Sequence, residues 1–314
     1  MTYRCVDWSK EKAVEREKKG KNAKDPYIES FAKGCSSDFP KNYLNEDHFD
    51  VTSSDKTPCV FRGLGKTDLI WGCINNDIDY LYIDTGYMGN AITKKYHRIA
   101  YNNLQTLNHL KPHEVKERIY AIYDGRPKVA DKVWVTKRPL VRWNLKIREP
   151  HAKKKILIVP PSQKVFNHFG GDAFSYTRNL IRKIKEISNR TVEVRKKLSR
   201  AERVDYSLQD QLRKGKYHCI VTFNSIASIE AISMGVPAVV LGPNAGAYLS
   251  EQNLKNIDKP YYPDIVDVFN HLDYLKWCQF TGEEMRAEHT HKVIEALQGD
   301  VKPVKFKITE DFNV

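Results

Sequence analysis

Nothing in the 314-residue chain approaches the roughly 20 consecutive apolar residues that a membrane-spanning helix requires. Its start carries no apolar signal-like region, so a soluble cytoplasmic protein without membrane insertion is expected. Cysteine is scarce, and the six at positions 5, 35, 59, 73, 219 and 278 make no C-x-x-C pair and no His-bearing metal spacing. That argues against a disulfide or zinc framework and predicts reduced thiols and no structural metal. A P-loop is missing, since Gly63-Leu64-Gly65-Lys66-Thr67 is too short to be one. G-x-S-x-G and H-E-x-x-H are missing too, which removes the common serine hydrolase and zinc protease readings.

Positive charge is in excess. Lys and Arg number 52 against 39 Asp and Glu, a net charge of +13. The surplus lies in Lys10–Lys24, Lys94–Arg98, Lys128–Lys155 and Arg182–Arg200 rather than in one tail. Any one run reads more readily as a solvated helix face, but the total suggests an acidic partner such as nucleic acid. The length suits two α/β domains of about 150 residues each.

The most informative stretch is Cys219–Gly246, CIVTFNSIASIEAISMGVPAVVLGPNAG. Cys219–Phe223 is short, largely β-branched and bounded by polar residues, which predicts a buried parallel strand. Asn224 and Ser225 offer a helix start, and Ile226, Ile229 and Ile232 recur at helical spacing. Gly235 and Pro237 close the helix before a second strand, Ala238–Leu241. Such a unit sets backbone amides at a strand's carboxyl end, where a phosphate is favoured. The alternative is an ordinary βαβ turn.

Similar half-units are expected elsewhere. Cys59–Arg62 reads as a strand, Thr67–Cys73 as a helix and Tyr80–Ile83 as a strand ending in Asp84, Thr85 and Gly86. Ile156–Val159 opens a second domain, followed by Ser162 and Gln163, then Gly170 and Gly171 before a helix Ala173–Glu186 that Asp172 would cap. Residues 8–23 form a charged helix candidate without an apolar stripe, followed by a polar, loop-rich stretch to about Pro58. A linker fits Arg138–Lys155, giving domains 1–145 and 146–314.

The segment SIASIEAISMGVPAVVLGP resembles the S-x-x-x-x-E-A-x-x-x-G-x-P pattern of the C-terminal domains of GT-B glycosyltransferases and related sugar-nucleotide enzymes. Cys59–Gln105, with WCQFTGEEM near residue 280, resembles glycosyltransferase-like proteins of tailed phages, including those that glycosylate hydroxymethylcytosine in DNA. The resemblance implies an α/β fold of two Rossmann-like domains facing a cleft, with host cytoplasm as the compartment. It implies a nucleotide-sugar donor, expected to be a UDP-sugar, held by the C-terminal domain. Asn224, Ser225 and Ser228 would lie at its phosphates and Glu230 at ribose or sugar hydroxyls, with Ser162, Gln163, Gly170 and Gly171 from the neighbouring loop. The paired-carboxylate metal site of the other glycosyltransferase architecture is not expected.

Such a reaction needs a base for the acceptor hydroxyl and a stabiliser for the leaving diphosphate. Asp84, at a strand's carboxyl end, is the first candidate base, or else a turn-forming carboxylate; His97 is an alternative base and Arg98 a phosphate grip. Arg62 and Gly63 offer a further phosphate contact. The favoured acceptor is 5-hydroxymethylated cytosine in double-stranded phage DNA, flipped out and stacked on Tyr87, Tyr96 or Tyr101, although tyrosines are individually more often core residues. Alternatives are a polysaccharide or lipid-linked-sugar acceptor, a sugar-nucleotide epimerase, and a noncatalytic nucleic-acid-binding protein.

Overall fold

Alternating short apolar strands and helices give an α/β chain. The computed structural model describes residues 3–35, 43–51, 54–87, 96–106, 155–196 and 207–297. Two compact units emerge, within Met1–Leu140 plus Asp273–Lys305 and within Val141–Leu272 plus Phe306–Val314.

The first unit is built on β1 (Arg4–Asp7), β2 (Tyr43–Asn45), β3 (Cys59–Arg62), β4 (Tyr80–Thr85), β5 (His97–Tyr101) and β10 (Gln279–Phe280), in the order β10-β5-β4-β3-β1-β2. Strands β2, β1, β3 and β4 run parallel, while β5 is antiparallel to β4 and β10 antiparallel to β5. The first unit is therefore Rossmann-like only over its parallel half. Continuous burial of Cys59, Val60 and Phe61 and of Tyr80 to Ile83 explains why these strands read as apolar runs rather than alternating ones.

Two differences from the sequence reading arise here. The stretch before Pro58 holds α2 (Pro26–Cys35) as well as β2, because Ile28, Phe31 and Ala32 form an apolar face that packs on the sheet. The chain also returns: β10, α9 (Gly282–Arg286) and α10 (Glu288–Leu297) join the first unit, so the division at 145/146 gives up 273–297 to it. The charged helix α1 (Lys10–Lys18) buries no residue, and Arg16 lies over the Trp8 ring at 3.9 Å. It is the solvated face that its composition suggests. The expected linker and the basic stretch 128–154 lie outside the described residues.

Helix α2 meets α9 backbone to backbone at Gly34, where an added Cβ would lie 2.2 Å from the Met285 carbonyl oxygen. A backbone oxygen cannot swing aside as a side chain does. Gly34→Ala is expected to cost about 3 kcal/mol, read as a lowered denaturant midpoint, and an unchanged midpoint would refute the close packing.

In the second unit β6 (Lys155–Val159), β7 (Val192–Val194), β8 (Tyr217–Thr222) and β9 (Ala238–Val240) form an all-parallel sheet in the order β7-β6-β8-β9. Between strands come α4 (Gln163–His168), α5 (Ala173–Ile187), α6 (Leu208–Lys214) and α7 (Ala227–Ser233); α3 (Thr67–Asn75) belongs to the first unit. Helix α5 buries Tyr176, Leu180 and Ile184, spaced by four, and leaves its basic residues outside. Each such burial contributes about 1.5–3 kcal/mol. Helix α8 spans Ile265–Trp277. No helix among the described residues is long and apolar enough to cross a membrane.

Candidate functional site

In a parallel α/β sheet, a crevice opens at the carboxyl ends of two adjacent strands whose connections leave in opposite directions. In the second unit that point lies between β6 and β8, because the chain leaves β6 for β7 on one side and reaches β8 on the other. The two strand ends are tied together, Thr222 Oγ1 donating to the Val159 carbonyl at 3.2 Å. Ser162 follows one strand, Asn224 and Ser225 the other. The crevice thus gathers residues that lie about 60 positions apart in sequence.

Donor capacity remains at this point. Ser162 Oγ accepts from Val165 N–H as the cap of α4, and Ser225 Oγ accepts from Ala227 N–H. Each hydroxyl keeps its own proton for an outside acceptor. The Asn224 side chain, half-buried, makes no hydrogen bond among the described residues. Backbone amides contribute less than the sequence suggests. Those of Ser228, Ile229 and Glu230 already donate to Ser225 and Ile226 carbonyls. The helix also starts later than expected, at Ala227, with Ile226 at its cap.

Glu230 sits half-buried in the first turn of α7, and its carboxyl makes no hydrogen bond among the described residues. Loss of water raises its pKa to about 7, although the Arg195 guanidinium pulls it back down. A carboxylate kept short of water and of partners is suited to accept hydrogen bonds from hydroxyls.

Asn244 organises the floor of the crevice, and the sequence reading missed it. Its Nδ2 donates to the Ser225 carbonyl at 2.9 Å, and its Oδ1 accepts from Gly246 N–H and from Ser228 Oγ, both at 2.7 Å. The only signal was a turn composition, Gly242-Pro243-Asn244-Ala245-Gly246. Asn244→Ala orphans Gly246 N–H and takes one partner each from the Ser225 carbonyl and the Ser228 hydroxyl, which keep their bond to each other; it is expected to cost about 2 kcal/mol and loosen the 223–226 loop. A thermal midpoint equal to wild type would remove this role.

Several expected contacts prove structural. Ser228 is fully buried and held by Asn244, so it does not face a donor phosphate. Gln163 is consumed as a clamp: Nε2 donates to Asn167 Oδ1 at 2.6 Å and Oε1 accepts from Ala173 N–H at 3.0 Å. Gly170 and Gly171 close α4. Gly170 takes φ +79° while Gly171 N–H reaches back to the Phe166 carbonyl at 2.8 Å, the pattern that ends helices with glycine. Asp172 caps α5 through Ser175 N–H at 2.7 Å.

In the first unit more of the candidates make internal contacts. Arg98 is buried, and its guanidinium donates to the carbonyls of Leu104 at 3.2 Å and Thr85 at 2.7 Å and to Asp84 Oδ2 at 3.0 Å. Three of its five donors are bonded inside the protein and the side chain is buried, so it presents no open fork to a phosphate. Asp84 also accepts from Tyr82 Oη and Thr85 N–H. Burial, the largest single influence, raises its pKa, but the Arg98 charge and the hydrogen bonds from Thr85 N–H and Tyr82 Oη together outweigh it and hold the carboxyl below its ordinary range. A carboxylate stabilised in this way is a weak base. His97 is buried with its ring 3.6 Å from that of Tyr27, a packing position. Tyr87, Tyr96 and Tyr101 are 2, 6 and 5 % exposed, so none presents an open face for a flipped base. Arg62 stacks over Tyr27 at 4.5 Å and pairs with the buried Asp25 at 2.7 Å. Gly63 turns the chain out of β3 at φ +67°.

The chain does contain one Asp-x-Asp spacing, Asp77 and Asp79. It lies before β4, at the amino end of the strand, where Asp79 Oδ1 accepts from Asn102 Nδ2 at 2.8 Å. Among the described residues no group of three or more His, Cys, Asp or Glu is placed to hold a metal ion.

No protein-family model matches the chain, and no curated protein matches it. Among solved structures it is similar to KpsC of Thermosulfurimonas dismutans. One match, described as the beta Kdo 2,4 transferase, has a TM-score of 0.41 and 11 % identity over 95 % of this chain and 98 % of that one. The other, described as the beta Kdo 2,7 transferase, has a TM-score of 0.38 and 12 % identity over 81 % of this chain and 93 % of that one. Likeness at this level fixes no residue role.

Proposed function

We propose that the chain is a glycosyltransferase that binds a nucleotide sugar at the carboxyl ends of β6 and β8. The observation that carries this reading is the set of groups that follow the two strand ends: unspent donors on Ser162, Asn224 and Ser225, and the desolvated Glu230 in the first turn of α7. Hydroxyl and amide donors suit a diphosphate, and the Glu230 carboxylate suits the paired hydroxyls of a ribose or sugar. The excess of basic residues adds long-range attraction for an anionic donor and acceptor.

The acceptor in this reading is a hydroxyl of an anionic glycan. A flipped DNA base needs an exposed ring to stack on, and Tyr87, Tyr96 and Tyr101 offer none. The decisive experiment is calorimetric titration with a panel of nucleotide sugars, followed by mass spectrometry of products from acidic glycans and from duplex DNA with hydroxymethylcytosine. Donor binding that Ser225→Ala weakens, with a sugar added to glycan, supports the proposal. Sugar on the modified base would move the acceptor to DNA. No binding by any nucleotide sugar would defeat the reading.

A further inference from the structure

We propose that Cys35 and Cys5, with His291 beside them, form a thiol–disulfide exchange site that reacts with small-molecule disulfides such as glutathione disulfide. Cys35 ends α2, which packs against β1, where Cys5 lies, and the two thiols are near enough to influence each other's ionisation. Cys35 Sγ lies 3.7 Å from His291 Nδ1 on α10. The imidazole is seated edge-on against Phe31, with ring centres 4.6 Å apart, and tilted against Tyr3 at 6.2 Å. Its other nitrogen, Nε2, is buried and has no hydrogen-bond partner among the described residues, so the thiol side is where this ring makes its polar contact.

The two sulfurs divide the work. Cys5 is fully buried, whereas Cys35 keeps part of its surface exposed and is the one an outside reagent reaches. The Cys5 thiol, opposed by burial and reinforced by His291, lowers the Cys35 pKa to about 6, while burial pushes that of Cys5 up. A thiolate is the attacking species, so Cys35 attacks first and Cys5 resolves. The other thiol pair, Cys59 and Cys73, is buried on both sides, and Cys59 Sγ accepts from Arg4 Nη2 at 3.3 Å. It lacks the route that Cys35 has.

In the exchange, the Cys35 thiolate attacks one sulfur of glutathione disulfide, forming a mixed disulfide and expelling one glutathione thiolate. Cys5 then gives up its proton, attacks the Cys35 sulfur and expels the second glutathione. The two cysteines are oxidised, glutathione disulfide is reduced to two thiols, and the protons of the cysteines end on those thiols. The product ties the end of α2 to β1 by a covalent bond.

The reduced full-length protein is treated with glutathione disulfide, then digested without reduction and mapped by mass spectrometry. A Cys5–Cys35 peptide pair, two hydrogen masses lighter than its reduced parts, is expected, with Cys5→Ser trapping the glutathione adduct on Cys35. In the reduced wild type, iodoacetamide is expected to label Cys35 about tenfold faster than any other cysteine. His291→Gln is expected to slow that labelling in the folded protein and leave it unchanged in denaturant. Equal labelling of all six cysteines, first modification elsewhere, or no Cys5–Cys35 link would overturn the assignment. The wild-type measurements alone decide it if a variant fails to fold.

Discussion

Replacing Arg98 with Met is expected to destabilise the first unit by about 3 kcal/mol or more. The substitution keeps most of the apolar stem and deletes the guanidinium, stranding the carbonyls of Leu104 and Thr85 and the Asp84 carboxylate. Removing one partner from a buried charge pair costs more than the pair contributes, because the remaining charge loses both water and partner. Asp84 itself keeps 37 % of its side-chain surface exposed and Thr85 is an exposed residue, so water recovers part of that loss; the carbonyl of the buried Leu104 has no such relief. Lys at position 98 restores a point charge but not the three-way fork, and is expected to recover only part of the loss.

The same experiment separates structure from chemistry. Were Asp84 the base, Asp84→Asn would abolish transfer and leave folding intact. The geometry predicts the reverse, a lowered unfolding free energy with turnover per folded molecule little changed. Because the folded-state pKa of Asp84 is depressed, its contribution is present above the ordinary carboxylate range and is lost as pH falls through the folded value. Acid unfolding of wild type but not of Asp84→Asn should therefore carry this term. Equal stability of wild type and Arg98→Met would show that the clamp carries no weight.

Glu230→Gln is expected to stabilise the protein by about 2 kcal/mol at pH 8 and to change little at pH 4. The carboxyl titrates near 7 when folded, against an ordinary value of 4.5, so the folded state holds its proton over a range where the unfolded state has lost it. Stability therefore falls as pH rises from about 4.5 through 7, and the neutral amide escapes that fall. The full shift corresponds to about 3 kcal/mol, reduced here because the side chain keeps some contact with solvent. The proposed function adds a second readout. A donor gripped through its hydroxyls should bind wild type more tightly as Glu230 ionises, and the glutamine variant should lose both affinity and that pH dependence. Stability gained at pH 8 with donor affinity intact would leave Glu230 a strained carboxylate without a role in binding.

The alternation of strand and helix was legible in the residues themselves. Cys59–Arg62 forms the expected strand, Ala173–Ile187 the expected helix with Asp172 as its cap, and the Ile226, Ile229 and Ile232 spacing the expected turns of α7. Local chemistry suffices there: a side-chain cap, an apolar period and a closing glycine act within a few residues. Helix α2 was not legible as an element, because its apolar residues sit among charged and loop-forming neighbours and only the sheet beneath gives them a reason to fold.

What the sequence alone determined is a basic α/β chain, the places where strands end, and the polar residues that follow those ends, Ser162, Asn224, Ser225 and Glu230 among them. Strand order, and with it the crevice between β6 and β8, was decided by pairing across more than 50 residues, which no local pattern records. Tertiary structure also decided which polar groups remain available. Asp84, Arg98, Gln163 and Ser228 look as reactive in sequence as Ser225 and Glu230, but their hydrogen-bonding capacity is engaged by partners brought in from other elements. The physical reason is that a buried polar group must find a partner wherever the fold supplies one, so availability is a property of the surroundings rather than of the residue.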